Sequence, residues 1–146
     1  MKLSEFNYQA PIHIRFSDID MLGHVNNAIY LTYMEYARLP YFEKVFGELI
    51  DWKETGLIIA KTEVNYKRPI YLKDNLIIGV RTKSVGDKSF TTEYGFFVVN
   101  DGQEVLVATG EIILVCINYL TGKTFSMPDV WKNAIKLNDN NLALNL

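Results

Sequence analysis

Apolar and polar residues alternate along residues 8–17. Successive side chains fall into an apolar set and a polar set: Ile12, Ile14 and Phe16 against His13, Arg15 and Ser17. A period of two is typical of a strand with one buried face, so we predict a first strand over this segment. His13 belongs to the polar set, where a solvated surface position is the expected role.

From residue 28 the pattern changes to the period of a helix. Apolar side chains recur at intervals of three and four residues: Tyr30, Met34, Ala37, Tyr41 and Val45. This spacing predicts one long helix, capped at its start by Asn26 or Asn27 and ended by Gly47. Pro40 lacks a backbone N–H and crowds the preceding turn, so we expect a kink there or a second short helix that starts at Pro40.

The polar groups of this helix suggest two different roles. Glu35 and Arg38 lie three residues apart on the other side from the apolar stripe and are able to form a surface ion pair. The tyrosines at positions 30, 33 and 41 are expected to lie in the core rather than in a binding pocket.

Four β-rich runs follow the helix, at residues 57–69, 75–85, 89–99 and 105–119. Their connectors are short enough for an antiparallel meander, and Asp101-Gly102 is a strong hairpin signal. The last part of the chain is predicted to contain a short helix at residues 128–137. We expect the Asn-rich end, residues 138–146, to be frayed.

The order of strand, long helix and four strands predicts an α+β chain, with an antiparallel five-stranded sheet wrapped around one helix. A length of 146 residues is typical of one domain, so we predict a single domain over residues 1–146. Such a sheet leaves open edges and an uncovered face. We expect a homodimer or homotetramer to cover them.

Composition narrows the class of protein. Hydrophobic residues make up 49% of the chain and charged residues 22%, as in ordinary globular proteins. The net charge of −2 gives no general footprint for nucleic acid, so an anionic ligand must be held locally. The single Cys116 lies in an apolar run and has no cysteine to pair with, which favours a buried core residue and a cytoplasmic location. No apolar run approaches the ~18 residues of a membrane helix, so no membrane partner is expected.

Candidate chemistry is concentrated in the turn between the first strand and the helix. A calcium loop would match Asp18, Asp20 and Gly23, but the later ligand positions hold Leu22 and Ile29. A nucleophile relay lacks support too, because the chain has no Gly-x-Ser-x-Gly motif and no cysteine beside a suitable base. We therefore predict neither a metal site nor a serine or cysteine nucleophile.

A third interpretation is a carboxylate that acts on a carbonyl beside a helix N-terminus. Asp20 would be the base or nucleophile, and the first free N–H groups of the helix, near Asn27, would stabilise the developing oxyanion. The alternative is structural, since Asp and Asn before a helix commonly form caps and turns. We favour the structural role for Asp18 with Asn26, and both roles stay open for Asp20.

The residues of this segment also carry a family resemblance. The matching positions are Asp18, Asp20, Gly23, His24, Val25, Asn26, Asn27, Tyr30, Tyr33, Glu35, Ala37 and Arg38. They resemble the signature of hot-dog-fold acyl-CoA thioesterases of the 4-hydroxybenzoyl-CoA thioesterase type, and of the related acyl-ACP thioesterases. Weaker likenesses follow at residues 64–74 and 89–94. The resemblance spans about residues 8–120 and leaves residues 121–146 as a C-terminal tail.

The resemblance implies a hot-dog fold and hydrolysis of an acyl-CoA to the free acid and CoA, with no cofactor and no metal. Asp20 matches the family's catalytic carboxylate, which acts as nucleophile or as general base. Asn27 matches the position whose backbone amide polarises the thioester carbonyl. His24 matches a histidine that is linked to catalysis or positioning in one subgroup.

The resemblance also bears on the substrate. CoA carries phosphates, and the cations that match positions near a pocket mouth are Lys67, Arg68 and Lys88. Leu22 stands where the acyl-ACP enzymes have an asparagine, which favours acyl-CoA over acyl-ACP.

Rival functions stay open at this point. An acyl-ACP thioesterase and a non-catalytic acyl-CoA-binding protein both agree with the motif. A hydratase of the same fold would need a His–acid pair near the acyl β-carbon, and the chain offers only His13 and His24.

Overall fold

The structure is a computed structural model, and it describes residues 1–139. Its elements follow the chain in this order: β1 (Tyr8–Ile12), α1 (Ile29–Phe46), β2 (Thr55–Tyr66), β3 (Leu76–Val85), β4 (Ser89–Asn100), β5 (Gln103–Asn118), β6 (Lys123–Thr124) and α2 (Asp129–Asn138). One antiparallel sheet has the strand order β1-β3-β4-β5-β2, and the two-residue β6 pairs with β5. The predicted α+β architecture, a sheet of five main strands with one long helix, is confirmed.

The hairpins explain how the sheet is built. The β4–β5 connection turns at Asp101 and Gly102, which have φ values of 51° and 74°. This is the left-handed backbone that an Asp-Gly hairpin requires. β5 then pairs with β4 on one side and with β2 on the other. The buried face of α1 shares one apolar core with the sheet, through residues such as Met34, Ala37 and Ile78.

The long helix runs unbroken from Ile29 to Phe46 with Pro40 inside it, so no second helix starts at Pro40. Pro40 has no backbone N–H, so the Tyr36 carbonyl lacks its helical hydrogen-bond donor. Both residues are exposed, and water can donate to that carbonyl instead. Gly47 ends the helix as predicted, with φ of 50° and its N–H bonded to the Glu43 carbonyl.

The first strand is shorter than predicted. It ends at Ile12, and the chain forms a single 3-10 turn at Phe16–Asp18. The backbone N–H of Arg15 and its guanidinium both bond to the Asp18 carboxylate. These local bonds replace the sheet partners that a longer strand would have needed.

The C-terminal helix α2 is anchored to the core at both ends. Trp131 packs against Phe46 with ring centroids 6.0 Å apart, and its indole N–H bonds to the Leu49 carbonyl at 3.3 Å. At the other end Asp139 is 3% exposed, and its Oδ2 accepts hydrogen bonds from the Tyr41 hydroxyl and from the Thr82 N–H.

The Asp139 carboxyl is only half satisfied, because Oδ1 has no partner within residues 1–139. The expectation of a frayed end is wrong for Asn138, which closes α2. For residues 140–146 the expectation lies outside the described residues.

Two expectations about solvent exposure are confirmed. His13 is exposed, and Cys116 is fully buried, where burial together with the nearby Asp87 charge raises the pKa of its thiol to about 11. Within residues 1–139, neither helix is long and apolar enough to cross a bilayer.

Candidate active site

A tight turn at residues 19–25 presents the first candidate side chains. Ile19 and Val25 form an isolated antiparallel β-bridge, and between them the Asp20 N–H bonds to the His24 carbonyl at 3.1 Å. Gly23 has φ of 87°, a conformation that glycine adopts without strain. The Val25 N–H bonds to the carbonyl of the fully buried Ile70, which fixes the turn to the core.

The Asp20 carboxylate is held from one side only. Its Oδ1 accepts a 2.9 Å hydrogen bond from the Leu22 N–H, which is the Asx turn expected for an Asp in this position. Its other oxygen has no hydrogen-bond donor among residues 1–139. The bond from Leu22 shows the structural role for Asp20, and the second oxygen stays available for a ligand or water, so the catalytic role stays a prediction.

Asn26 forms an Asx turn just before α1. Its side-chain oxygen accepts the Ala28 N–H at 2.9 Å, and its carbonyl accepts the Ile29 N–H. The helix begins at Ile29 with Ala28 in the N-cap position and no side-chain cap, so the prediction that Asn26 or Asn27 caps it is wrong. The Asn27 N–H has no acceptor in the described part of the chain. This unpaired amide lies at the helix N-terminus, where the helix dipole favours negative charge.

Tyr66 was not a predicted site residue, although it ends β2 just before Lys67 and Arg68. Its hydroxyl donates a 2.9 Å hydrogen bond to the Asn27 carbonyl. Its ring meets the ring of Tyr30 edge to face, with centroids 4.8 Å apart. Burial, with a smaller effect of Tyr66, raises the pKa of Tyr30 to about 12, so this hydroxyl stays protonated at neutral pH. The end of β2 thus braces the start of α1.

Asp18 lies on the other side of the turn, away from solvent. It is 1% exposed and accepts hydrogen bonds from the Tyr33 hydroxyl at 2.6 Å and from Arg15, whose guanidinium lies 3.0 Å away. Burial raises the pKa of Asp18, but the bonds from Tyr33 and Arg15 together outweigh burial and hold that pKa below its usual value. These contacts support the structural role favoured for Asp18.

One cavity of about 330 Å³ collects most of the predicted site residues. Its lining includes five of the six: Asp20, His24, Asn27, Lys67 and Arg68. Leu22, Val25, Tyr30, Tyr66 and Pro69 complete it. His24 is half-buried there, with Nδ1 3.4 Å from the Val25 carbonyl oxygen.

The two cations of the cavity come from the segment after β2. The backbone N–H groups of Lys67 and Arg68 both bond to the Val107 carbonyl, at 2.9 and 3.1 Å. Their side chains are exposed at the cavity mouth. Arg68 also lines a neighbouring cavity of about 200 Å³. A positively charged entrance therefore leads to the Asp20 carboxylate.

Lys88 is not brought into this cavity. It lies in the β3–β4 turn, where the next residue, Ser89, pairs with Val115. Tyr66, at the cavity, pairs with Ala108 on the same strand. Seven strand residues separate these two positions on β5, which is about 23 Å at the usual rise per residue. Within one chain Lys88 is at the opposite end of the sheet.

The described residues contain no cluster of three or more histidine, cysteine, aspartate or glutamate side chains with the geometry of a metal site. What the cavity does hold is a carboxylate with a free oxygen, an unpaired amide at a helix start and two exposed cations. A carboxylate and an unpaired N–H donor in one cavity are suited to acyl transfer or hydrolysis.

The chain matches the family model of the thioesterase-like superfamily over residues 14–135. It is 30% identical over 122 residues to the long-chain acyl-CoA thioesterase FadM of Escherichia coli (strain K12), covering 82% of this chain and 89% of that protein. It is 29% identical over 132 residues to the uncharacterised protein YsmA of Bacillus subtilis (strain 168), covering 90% of this chain and 87% of that protein.

Solved structures agree with the sequence relatives. A thioesterase of Thermus thermophilus, crystallised with coenzyme A and Zn, superposes with a TM-score of 0.80 at 32% identity, covering 93% of this chain and 96% of that one. By its family match and by these relatives, the chain belongs to the thioesterase-like superfamily, has the hot-dog fold and is a thioester hydrolase.

Proposed function

We propose that the chain hydrolyses an acyl-CoA thioester to the free acid and CoA in the cavity lined by Asp20 and Asn27. The proposal rests on two groups that lie in one cavity. Within residues 1–139, one oxygen of the Asp20 carboxylate has no hydrogen-bond donor, and the Asn27 N–H at the start of the helix has no acceptor. The first can activate water or attack the substrate, and the second can receive the charge that develops on the thioester oxygen.

Two routes lead from this arrangement to the same products. With Asp20 as general base, it takes a proton from water, the water oxygen attacks the thioester carbon, and the Asn27 N–H holds the oxyanion. The C–S bond then breaks, and the CoA thiolate takes up the proton. With Asp20 as nucleophile, an acyl–Asp20 anhydride forms, CoA leaves, and water hydrolyses the anhydride. His24 borders the same cavity and would help to position the substrate.

The choice of CoA rests on charge at the cavity mouth. Lys67 and Arg68 are exposed there, and phosphate groups are bound well by such cations. The relative from Escherichia coli is a long-chain acyl-CoA thioesterase, and the structure from Thermus thermophilus holds coenzyme A. Lys88 stays a prediction, because it lies outside the cavity of its own chain.

The proposed partner is a second copy of the chain, bound through the open edge of β2. This strand pairs with β5 on one side only and exposes Ile58 and Ile59 to 41% and 48%. Open edges with exposed apolar side chains are ready to pair with another strand. Antiparallel pairing of two β2 strands about Thr62 would place Lys61 of each copy opposite Glu63 of the other. This arrangement is self-complementary in charge.

The decisive variant is Asp20→Asn, assayed for thiol release from acyl-CoA substrates of several chain lengths. Removing a catalytic carboxylate should lower the rate by about 10²- to 10⁴-fold. Asp51→Asn is the matched control, because Asp51 Oδ1 accepts the Lys53 N–H at 3.0 Å in the same kind of turn but lies outside the cavity. A folded Asp20→Asn protein with full activity would overturn the proposal.

Two further readouts separate the alternatives. A non-catalytic acyl-CoA-binding protein would bind acyl-CoA tightly and release no thiol, and an acyl-ACP thioesterase would release thiol from acyl-ACP in preference to acyl-CoA. Single-turnover hydrolysis in heavy-oxygen water distinguishes the two routes, because only the nucleophilic route leaves label in the Asp20 carboxylate.

A further inference from the structure

Arg38 is a buried cation in the middle of α1. Its exposed fraction is 7%, although its position in the helix predicted a surface residue. Burying a charge is expensive unless an opposite charge accompanies it. Within residues 1–139 Arg38 takes part in no ion pair, and the predicted pair with Glu35 is absent.

The protein group on which Arg38 is shown to act, the Tyr94 hydroxyl, is neutral. Burial raises the pKa of the Tyr94 hydroxyl on β4, and the Arg38 guanidinium beside it acts in the opposite direction. Tyr94 is fully buried and also accepts a 3.0 Å hydrogen bond from the Thr92 hydroxyl. The neutral Tyr94 hydroxyl can solvate the guanidinium, but it leaves the charge unbalanced.

Arg38 also lines a groove between α1 and the β2 side of the sheet. It lines two adjoining cavities, one of about 420 Å³ with Phe42 and Trp52, and one of about 220 Å³ with Glu35 and Thr62. The first is mostly apolar. The second cavity, which we call the hollow, is lined by the exposed Glu35 carboxylate and the buried Arg38 guanidinium, which form no ion pair with each other.

The second cavity contains Thr62, the residue about which β2 is self-complementary. Lys61 and Glu63 flank it with side chains that are 61% and 48% exposed. A two-fold axis that pairs two β2 strands at Thr62 therefore brings the hollow of one copy against the hollow of the other. Glu35 and Arg38 of one copy would then face Arg38 and Glu35 of the other copy across the axis.

We propose that Glu35 of a second copy supplies the missing counter-charge of Arg38, so that two Glu35 and two Arg38 side chains form a closed charge cluster on the dimer axis. The inference rests on the proposed homodimer and goes beyond it, since it names the groups that hold the two α1 helices in register. A cluster of alternating charges at a symmetric interface specifies one partner and one orientation.

The test is a charge exchange, read as the dimer dissociation constant by sedimentation. Glu35→Arg places two arginines of one copy against two of the other, and Arg38→Glu does the same with glutamates. Each should weaken its own homodimer by at least about ten-fold, since like charges across an interface disfavour association strongly. When the two variants are mixed, every charge faces its opposite, and the mixed dimer should form with nearly wild-type affinity.

Controls keep each result decisive. Glu48→Arg makes the same change at an exposed position that lines neither cavity, and it should leave the dissociation constant unchanged. Arg38→Glu alters a buried position and can fail to fold. In that case Glu35→Arg decides alone, because Glu35 is exposed. Unchanged dimerisation of Glu35→Arg overturns the cluster. The same result is expected if a carboxylate ligand, and not Glu35 of the partner, balances the Arg38 charge.

Thiol release by the wild type is measured separately. If the wild type dimerises but releases no thiol, the proposed function is wrong and the cluster is unaffected. If it releases thiol as a monomer, the cluster is wrong and the proposed function is unaffected.

Discussion

The Tyr33 hydroxyl donates a 2.6 Å hydrogen bond to Oδ2 of Asp18, inside the protein and behind the turn that carries Asp20. The two aspartates are only two residues apart, yet one is enclosed by donors and the other faces a cavity. Asp18 therefore holds the turn against the helix, and Asp20 keeps one oxygen available for the proposed chemistry.

Tyr33→Phe should destabilise the protein without changing the chemical step. The change removes one donor from a carboxylate that is 1% exposed, which is expected to lower the free energy of unfolding by about 1–3 kcal/mol. Denaturant unfolding at pH 7 measures it. Tyr36→Phe, on an exposed tyrosine of the same helix, is the control. A loss of thiol release in folded Tyr33→Phe would contradict the separation of roles.

Acid titration gives the same bond a second signature. The pKa of Asp18 is lower in the folded protein than in the unfolded chain, so the folded carboxyl resists protonation. Its contribution is present above the unfolded pKa and is lost as pH falls through the folded pKa. Tyr33→Phe should therefore lose less stability than the wild type when the pH is lowered below about 4.

Asp139 should produce the opposite pH dependence. Burial raises the pKa of Asp139, against lowering effects of the bonds from Tyr41 and Thr82 and of the Arg81 charge. The folded state therefore binds the proton more tightly than the unfolded chain. The stabilising contribution is complete below the unfolded pKa, near about 4, and is lost as pH rises through the higher folded pKa.

The measurement for Asp139 is the melting temperature from pH 4 to pH 8. Asp139→Asn cannot ionise, so relative to the wild type it should gain stability as the pH rises. Asp129→Asn changes an exposed aspartate at the other end of α2 and should follow the wild-type profile. Parallel curves for the wild type and Asp139→Asn would show that Asp139 is ionised throughout.

Tyr66→Phe should lower kcat and leave KM almost unchanged. The hydroxyl donates a hydrogen bond to the Asn27 carbonyl, so its loss should disturb the position of the Asn27 N–H that we propose as the oxyanion donor. A hydrogen bond of this kind contributes about 0.5–1.5 kcal/mol, which corresponds to roughly a two- to twelve-fold loss of rate. Tyr71→Phe, an exposed tyrosine outside the cavity, should keep the wild-type rate. A change confined to KM would argue against a positioning role.

Arg68→Ala should show the reverse pattern. If Arg68 contacts a CoA phosphate, its removal raises KM several-fold and leaves kcat nearly intact, because the contact is made equally before and during the reaction. Added salt should weaken wild-type binding more than that of the variant. Lys73→Ala changes an exposed lysine that does not line the cavity and serves as the control. Equal salt sensitivity of the wild type and Arg68→Ala would remove Arg68 from the phosphate site.

Much of this fold could be predicted because each element has a clear period and a clear end. Local signals predicted these features: the alternation in β3 to β5, the Asp-Gly turn and Gly47. Such signals depend on neighbouring residues and not on how the chain packs. The grouping of Asp20, His24 and Asn27 was predictable for the same reason: a single turn carries all three.

The failures came from contacts between distant parts of the chain. Arg38 lies off the apolar stripe of α1, and its burial depends on how far the sheet curves around the helix. Asp139 lies at the start of an Asn-rich end that suggests fraying, and its bonds with Tyr41 and Thr82 hold it in the core. Tyr66 reaches Asn27 across 39 residues of sequence. No periodicity encodes such pairs.

The placement of the two tryptophans gives the protein two built-in optical probes. Trp131 is 3% exposed in the aromatic cluster under α2, whereas Trp52 is 44% exposed and stacks on Phe42 at the rim of the groove, with ring centroids 6.3 Å apart. A buried indole emits at shorter wavelength than a hydrated one, so the two signals can be separated by replacing either ring with phenylalanine. Trp131 emission then follows the docking of the C-terminal helix, and Trp52 emission follows occupancy of the groove, both without an added label.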